Sequence, residues 1–360
     1  MKNTFGNAIS ITLFGESHGD SIGAVVDGLA PGIKINHEYI KNCLNLRRPY
    51  GKISTSRKES DEYQIVSGEY CGYTTGTPLT LIIKNTAQKS SDYDALSDTP
   101  RPSHADYTAE CKYHGFQDPR GGGHFSGRIT APLVAVGALI AAALMDKGIE
   151  IGTHIASLSG IADKPIEEKD IPMLRQKLFP VIDADREADM IKRIEAVALS
   201  GDSIGGVLET MISGVPAGVG EPFFDSVESI ISHIVFSIPG IKGIEFGKGF
   251  GFADMLGSEA NDSLAVSDGK TYTLTNNNGG INGGISNGMP ITFRTAVKPT
   301  PSIFKEQKTI SLSRCENTTL TISGRHDPAI IHRARAVVDA AAAIAIADLL
   351  TQRFGTDYLK

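Results

Sequence analysis

The stretch GDSIGAVVDGLAPGI, residues 19–33, decides how the chain is organised. It is a short β-branched run that closes on a Pro-Gly turn. The pentapeptide Gly-Asp-Ser-Ile-Gly recurs at 201–205, where it again leads into a β-branched run and a Pro-containing turn. A repeat of this kind predicts an internal duplication.

The landmarks after each copy come in the same order: a helix, a Gly-rich loop, a Ser-Gly-Arg tripeptide and an Ala-rich helix. In the first half they lie at 38–46, 120–124, 126–128 and 129–146. In the second half they lie at 223–235, 276–288, 323–325 and 330–350. We therefore predict one domain over 1–360, with pseudo-repeats at about 8–150 and 195–352 joined by a segment at about 161–199.

Within each half, strand-like runs follow one another with only turns between them, as at 9–13 and 24–26 and again at 64–67 and 79–84. Strands joined by short turns pair antiparallel. This favours an α+β fold of antiparallel sheets packed on long helices. The last helix contains AVVDAAAAIAIADLL and is apolar almost all round, so we expect it to be buried.

The composition is that of a soluble globular chain, with 41% hydrophobic residues and a net charge of -6. An acidic balance argues against general nucleic-acid binding. The start of the chain is too polar for a signal peptide. The apolar run 129–145 is interrupted by Pro132 and Gly137 and falls short of the ~20 residues of a membrane span. We expect a cytoplasmic protein.

The four cysteines show no C-x-x-C spacing, and no other metal-ligand motif is present. We expect neither a disulfide framework nor a metal site. Buried free thiols in a reducing compartment are the better interpretation.

The sequence GESHG at 15–19 fits the G-x-S-x-G pattern of a hydrolase nucleophile elbow, with Ser17 as the nucleophile. That pattern requires a helix directly after the serine. Here the following residues are rich in glycine and β-branched side chains and predict a strand. Ser17 is then expected on a hairpin turn, and the hydrolase is the minority hypothesis.

Three histidines lie in polar loops: His18 in GESHGD, His104 in RPSHADY and His326 in GRHDP. A single loop histidine is most often a turn residue. Three of them close to Gly-rich loops favour a site, because histidine is the usual proton donor or acceptor near neutral pH. The glycines let a backbone approach a flat ligand and offer N–H groups to anions.

Basic residues cluster at 47–58, where Arg47, Arg48, Lys52, Arg57 and Lys58 lie within twelve positions. In an acidic chain such a cluster suggests a site for a small anion. A solvated loop explains it equally well, so the sequence leaves both interpretations open.

Six motifs in order resemble the chorismate synthase family over almost the whole chain. They are FGESHG at 14–19, RPSHADYT at 101–108, RGGGHFSGR at 120–128, GGINGGISNG at 279–288, KPTPSI at 298–303 and GRHDP at 324–328.

The resemblance implies a lyase that converts 5-enolpyruvylshikimate 3-phosphate to chorismate and phosphate by anti-1,4-elimination, with reduced FMN as cofactor. It also implies a homotetramer of β–α–β sandwich subunits, with NADPH only as a reductant of the flavin. A non-catalytic flavin- or anion-binding module is the alternative outside catalysis.

The resemblance also implies residue roles. His18 is the acid for the departing phosphate, His104 the partner of the flavin N1 region, and Asp327 the group that assists proton removal. The implied anion-binding residues are Arg47, Arg48 and Arg57. The implied FMN contacts are His124, Phe125, Ser126, Ile238, Pro239, Gly283, Lys298, Pro299, Thr300, Pro301, Ser302 and Arg325.

Two positions depart from the family pattern. Many members have Arg-Ser-Ser-Ala-Arg where this chain has HFSGR at 124–128. Many also have an arginine shortly after Pro49, where this chain offers Lys52 as a point charge. Backbone contacts to FMN tolerate the first change better than side-chain contacts do.

Overall fold

The computed structural model describes residues 2–55, 60–86, 98–322 and 326–360. Two five-stranded antiparallel sheets enclose a layer of helices. The predicted α+β class is confirmed.

The first sheet is built from the N-terminal quarter of the chain. Its strands and a small hairpin are, in chain order, β1 (Thr4–Phe5), β2 (Ser10–Gly15), β3 (Ser21–Asp27), β4 (Tyr63–Ser67), β5 (Glu69–Tyr70), β6 (Tyr73–Thr74) and β7 (Leu79–Lys84). The spatial order is β1-β2-β3-β7-β4, and β5 pairs only with β6. The four predicted strands all overlap these elements, and 79–84 coincides with β7.

The second sheet takes its strands from 150–297, in the spatial order β11-β16-β10-β8-β9, and the remaining strands form three hairpins. In chain order they are β8 (Glu150–Leu158), β9 (Ile161–Ala162), β10 (Gly206–Ser213), β11 (Ile241–Phe246), β12 (Leu264–Ser267), β13 (Lys270–Thr273), β14 (Ile281–Asn282), β15 (Ile285–Ser286), β16 (Ile291–Val297), β17 (Gln307–Ser311) and β18 (Glu316–Leu320).

The α-helices of the described chain are α1 (His37–Arg47), α2 (Asp106–Tyr113), α3 (Thr130–Asp146), α4 (Ile171–Leu174), α5 (Ala184–Leu199), α6 (Val227–Val235), α7 (Gly257–Ala260) and α8 (Ile331–Phe354). Short 3₁₀ segments lie at Arg120–Phe125, Gly127–Ile129, Glu168–Asp170, Phe223–Asp225, Gly249–Asp254 and Thr356–Leu359.

Capping residues set the helix starts. The Asn36 side chain accepts a hydrogen bond from the N–H of Tyr39 at 3.0 Å and begins α1 where the sequence predicts. The corresponding helix of the second half was predicted to begin at residue 223, and this start is wrong. Ser226 accepts from the N–H of Ser229 at 3.1 Å, so α6 begins at Val227 and the preceding residues form a 3₁₀ turn.

Two long helices, α3 and α8, pack against each other at the centre of the molecule. Helix α8 is buried over most of its 24 residues, as its all-round apolar pattern predicts. Helix α3 contacts strands of both sheets, β3 and β7 on one side and β8 on the other. The core of the sandwich therefore lies on these two helices.

The helix pair approaches most closely at Gly137 of α3. A Cβ atom added there would lie 2.4 Å from Cβ of Ala340 and 2.7 Å from its carbonyl oxygen. The expectation that Pro132 and Gly137 interrupt this segment is wrong. Pro132 lies in the first turn, where a missing N–H costs little, and Gly137 makes room for α8.

The segment Gly127–Asp146 has 20 residues, and the mean hydropathy of its most apolar 18-residue window is 2.0, so it is long and apolar enough to cross a membrane. The expectation that this apolar run is too short to span a membrane is therefore also wrong. However, 83% of its most apolar window is buried inside the protein. Core helices of water-soluble proteins pass the same test of length and composition.

All four cysteines are free, as expected, but the expectation that they are buried is wrong for three of them. Cys43 is half-buried, whereas Cys71, Cys111 and Cys315 are exposed.

We expect Gly137→Ala to destabilise the protein by about 1–3 kcal/mol, the usual cost of overpacking a core. This loss should outweigh the ~1 kcal/mol that alanine gains over glycine in helix propensity. Gly257→Ala in α7, where an added Cβ meets open space, is the matched control and should not destabilise. Chemical denaturation measures both, and equal effects in the two variants would contradict the close packing of α3 on α8.

Candidate active site

A cavity of about 1010 Å³ opens where α3 and α8 begin. Thr130 and Leu133 of α3 line it, as do Arg333, Ala334 and Val337 of α8. Neither helix has a side-chain hydrogen bond at its N-cap residue. Because helix N-termini favour negative charge nearby, this geometry suits an anionic ligand.

Positive charge dominates the lining of this cavity. The cationic residues are Lys2, Arg47, Arg48, Arg101, Arg128, Lys242, Lys298 and Arg333. Among the described residues only two carboxylates line it, those of Asp61 and Asp327. In a chain of net charge -6, this concentration indicates a site for an anionic small molecule.

Ser17 and His18 lie on a tight turn between β2 and β3, closed by a hydrogen bond from the N–H of Gly19 to the carbonyl of Glu16 at 3.1 Å. Both side chains are buried. No helix follows Ser17, since β3 begins at Ser21. The strand–serine–helix geometry of a nucleophile elbow is absent from this described turn, so the hydrolase hypothesis is wrong.

The three glycines of the loop 120–124 pack directly against two histidines. All three have a left-handed φ, between 53° and 84°. A Cβ on Gly121 would lie 2.2 Å from Cε1 of His18, and one on Gly122 would lie 3.4 Å from Cε1 of His104. The carbonyl of Gly123 accepts from the N–H of Ser17 at 3.1 Å. Consecutive glycines thus bring both predicted histidines to one loop.

The rest of this loop also lines the cavity, with His124, Phe125 and Ser126. Nδ1 of His124 donates to the carbonyl of Gly15 at 2.8 Å, which fixes the loop to the end of β2. The ring of Phe125 packs edge-on against α2. Both side chains therefore hold the loop in place.

His104 immediately precedes α2 and is oriented by Asp106. Its Nδ1 lies 2.5 Å from Oδ1 of Asp106. Arg101 donates to both oxygens of the same carboxylate at 2.7 and 2.8 Å. Burial opposes ionisation of Asp106, but the hydrogen bonds from Arg101 and His104 outweigh it and hold the pKa of this carboxyl far below its ordinary value. Nδ1 of His104 therefore carries a proton toward a charged acceptor, and Nε2 remains for a ligand.

Asp327 is held by two partners in the cavity wall. Its Oδ1 accepts from the N–H of Thr55 at 2.8 Å, and its Oδ2 pairs with Nη1 of Arg333 at 2.7 Å. Its backbone carbonyl accepts from Oγ1 of Thr300 at 2.7 Å. Helix α8 begins only at Ile331 and its N-cap residue is Ile330, so Asp327 does not cap this helix.

Two further predicted segments, 238–239 and 298–302, lie in the wall together. The N–H of Lys298 donates to the carbonyl of Gly240 at 2.8 Å, which joins them. Nζ of Lys298 donates to the carbonyl of Ser103 at 2.6 Å, beside His104. Burial, aided by the charge of Lys242, lowers the pKa of Lys298.

Part of the basic cluster reaches the cavity. Arg47 and Arg48 line it, whereas Lys52 is exposed and does not. Arg57 and Lys58 lie outside the described residues. Burial and the neighbouring charge of Arg47 lower the pKa of Arg48, whose Nε is buried without a hydrogen-bond partner. Arg48 is thus a cation without an ion pair in the described chain.

Among the described residues, two predicted site residues do not line the cavity, His18 and Gly283. His18 lies beneath Gly121, with its ring buried. Gly283 lies on the turn of the hairpin β14–β15. Arg325 lies outside the described residues.

Six charged residues of the described wall were not predicted as site residues: Lys2, Asp61, Arg101, Arg128, Lys242 and Arg333. Arg101 and Arg128 lie inside motifs already singled out, so their positions carried a signal. Asp61 is 14 residues from Arg47 along the chain, and no pattern in the sequence connects the two.

Comparisons with known proteins agree on one family. The sequence model described as chorismate synthase matches residues 9–351. A chorismate synthase from Thermococcus gammatolerans is 43% identical over 348 residues, 97% of each chain. One from Lachnoclostridium phytofermentans is 46% identical, covering 99% of this chain and 98% of the relative. A solved structure titled "Crystal Structure of Chorismate Synthase" superposes with a TM-score of 0.76 at 28% identity, covering 98% of this chain and 94% of that one.

The fold and the basic cavity define an enzyme of small anionic metabolites, and the relatives make it a carbon–oxygen lyase that acts on phosphates. The chain belongs to the chorismate synthase family (EC 4.2.3.5). Its reaction is the conversion of 5-enolpyruvylshikimate 3-phosphate to chorismate in aromatic amino acid biosynthesis.

We expect Asp106→Asn to lower the free energy of unfolding at pH 7 by about 1–3 kcal/mol, the scale of hydrogen bonds to a charged group. Because the folded-state pKa of Asp106 is depressed, its contribution is complete above the ordinary value of about 3.9 and is lost as the pH falls toward the folded-state pKa. The difference between native protein and variant should therefore shrink below about pH 4.

Denaturant unfolding at several pH values measures this difference. Asp189→Asn, which removes an exposed pair to Arg186 on α5, is the control and should change stability little. A difference that stays constant down to the lowest pH would contradict the ion pair.

Proposed function

We propose that the cavity binds reduced FMN and 5-enolpyruvylshikimate 3-phosphate side by side and that the elimination occurs there. The observation that carries the proposal is the excess of eight cationic side chains over two carboxylates in the lining. Both ligands carry a phosphate, and the substrate adds two carboxylates. The volume of about 1010 Å³ lies at the upper end of the ~300–1,000 Å³ range of small-molecule sites, which suits two ligands.

The residues present fit a flavin. Pro239, Pro299 and Pro301 give the wall rigid backbone without N–H groups to satisfy, and the ring of Phe125 offers an apolar surface. When bound, reduced FMN supplies an electron that helps phosphate to leave and is recovered afterwards. The remaining tasks belong to the protein: orientation of the ligands, exclusion of water and control of two protons.

We assign these tasks to residues that the chain brings to one region. His104, with Nδ1 fixed by Asp106, presents Nε2 to the flavin N1 region. Asp327, oriented by Thr55 and Arg333, assists removal of the ring proton. His18 supplies the proton of the departing phosphate from beneath Gly121.

We also propose the FMN contacts that the family motifs imply. Those in the cavity wall are His124, Phe125, Ser126, Ile238, Pro239 and 298–302. Gly283 and Arg325 remain proposals on the resemblance alone. Lys52 is exposed and outside the wall, so we assign it no contact with either ligand.

An anaerobic assay with dithionite-reduced FMN tests the proposed function. The native protein should release one phosphate for each chorismate formed. Asp327→Asn should still bind FMN but turn over ~10²-fold more slowly, the scale of a lost general base. A protein that binds FMN and releases no phosphate would be a non-catalytic flavin module, and the proposal would then be wrong.

We expect Arg48→Ala to raise the substrate KM by roughly 10- to 100-fold, the scale of a lost hydrogen bond to a charged group. The affinity for FMN should change much less, because Arg48 is assigned to the substrate. We expect the KM to rise because Arg48 forms no ion pair with a carboxylate of the described chain, so its charge is available to the substrate.

Lys52→Ala is the matched control, because it removes a nearby positive charge that does not line the cavity. Steady-state kinetics and FMN titration measure both variants. Equal KM values for native protein and Arg48→Ala would contradict the anion site and favour the interpretation of the basic cluster as a solvated loop.

We propose a homotetramer as the assembled enzyme. Large apolar side chains are almost fully exposed on the isolated chain, with Phe223 at 85%, Phe224 at 91% and Phe250 at 86%. Exposed aromatic clusters of this kind mark protein interfaces. Sedimentation equilibrium should give four times the mass of the chain.

We retain three further expectations as proposals: an internally duplicated single domain, a cytoplasmic location and NADPH solely as a flavin reductant. The duplication is supported by one five-stranded sheet and one long buried helix from each half. That strands β8 and β9 join the second sheet supports the end proposed for the first repeat, at about residue 150.

A further inference from the structure

Asp61 is a buried carboxylate between two arginines of the cavity wall. Its side chain is 1% exposed, and Oδ2 accepts from Nη2 of Arg47 at 2.8 Å. Oδ1 accepts from Nη1 of Arg128, which forms the second ion pair. All three residues line the cavity. The unit therefore sits where an anionic ligand would bind.

Each arginine is also tied to a loop of the site. Nη1 of Arg47 donates to the carbonyl of Gly127 at 3.4 Å, directly after the Gly-rich loop. Nε of Arg128 donates to Oδ1 of Asn85 at 3.1 Å. Nδ2 of Asn85 donates to the carbonyls at both ends of the turn that carries His18, at 3.0 and 2.8 Å. The carboxylate of Asp61 is thus the shared acceptor at the centre of a network that reaches the end of the Gly-rich loop and the turn that carries His18.

By charge alone, a carboxylate at this place works against anion binding, because it cancels part of the positive potential of the wall. The position of Asp61 between Arg47 and Arg128 indicates a different role, which is to orient the two guanidinium groups. Two guanidinium groups repel each other and turn apart unless a common acceptor holds them. A fixed guanidinium fork binds a carboxylate or phosphate with less loss of side-chain entropy than a mobile one.

We propose that Asp61 is a positioning residue that fixes Arg47 and Arg128 in the orientation in which they bind the anionic groups of the substrate. This inference rests on the proposed function, which places the substrate in this cavity. Asp61 acts through the two arginines and does not itself bind the substrate.

Positioning and simple neutralisation predict opposite results. If Asp61 only neutralised charge, Asp61→Asn would make the wall more positive and lower the substrate KM. If it positions the arginines, Asp61→Asn should raise KM roughly 10- to 100-fold despite the added positive charge, as a hydrogen bond to a charged group is lost. Asp61→Glu keeps the charge but shifts the carboxylate by one methylene, so positioning predicts a raised KM here too.

The experiment compares native protein, Asp61→Asn, Asp61→Glu and the control Asp268→Asn. Asp61 and Asp268 both have a left-handed φ, at 48° and 51°. Asparagine tolerates this conformation as aspartate does, so neither Asp61→Asn nor Asp268→Asn strains the backbone. Asp268 lies on the exposed turn between β12 and β13, and its variant should keep native kinetics.

FMN titration of each variant reports whether the cavity is intact. Raised KM in both Asp61 variants with native FMN affinity supports the proposal. An unchanged or lowered KM in either variant overturns it. Failure of both variants to fold also overturns it, because Asp61 would then be a folding residue.

Calorimetry with inorganic phosphate separates this inference from the proposed function. Phosphate should bind more weakly to both Asp61 variants than to native protein, whichever reaction the enzyme catalyses. Weakened phosphate binding without any turnover in native protein would leave the role of Asp61 standing and refute the proposed function. Equal phosphate affinity in all four proteins would refute the role of Asp61.

Discussion

The contact between α3 and α8 at Gly137 and Ala340 is the constraint on which the rest of the structure depends. Both helices begin at the cavity and meet about two turns farther along. Each helix follows a loop of the site, 120–129 before α3 and 326–330 before α8. Because the two helices are buried and pack on each other between the sheets, core packing sets the distance between these loops.

Cationic side chains are concentrated in the lining of the cavity, and nearby carboxylates orient the side chains around it. The chain is acidic overall, yet eight of its 35 Lys and Arg side chains line one cavity. The carboxylates near it have orienting contacts: Asp61 holds two arginines, Asp106 holds His104, and Asp327 binds Thr55 and Arg333. Buried carboxylates with several donors fix the directions of their partners. The same network leaves the cavity a net attraction for anions.

Local sequence patterns predicted the elements better than the contacts between them. The run LTLIIK at 79–84 was predicted at its observed bounds, because periodicity and flanking residues determine it locally. The start of α6 was predicted four residues too early, at 223, because the sequence offers two residues that commonly precede helices, Pro222 and the true N-cap Ser226. The role of Asp61 was beyond prediction, since ion pairs between distant residues leave no periodic trace.

The Gly-rich loop explains why a departure from the family pattern is tolerable. Gly121 leaves no room for a side chain, since the ring of His18 occupies that space, and Gly122 has a left-handed φ of 84° that favours glycine. Two of the residues that differ hold the loop with their side chains: His124 bonds to the carbonyl of Gly15, and Phe125 packs on α2. These two contacts thus secure the loop, whose residues His124, Phe125 and Ser126 line the cavity. A flavin that relies on this backbone is insensitive to the substitution, whereas a side chain introduced at 121 would displace His18.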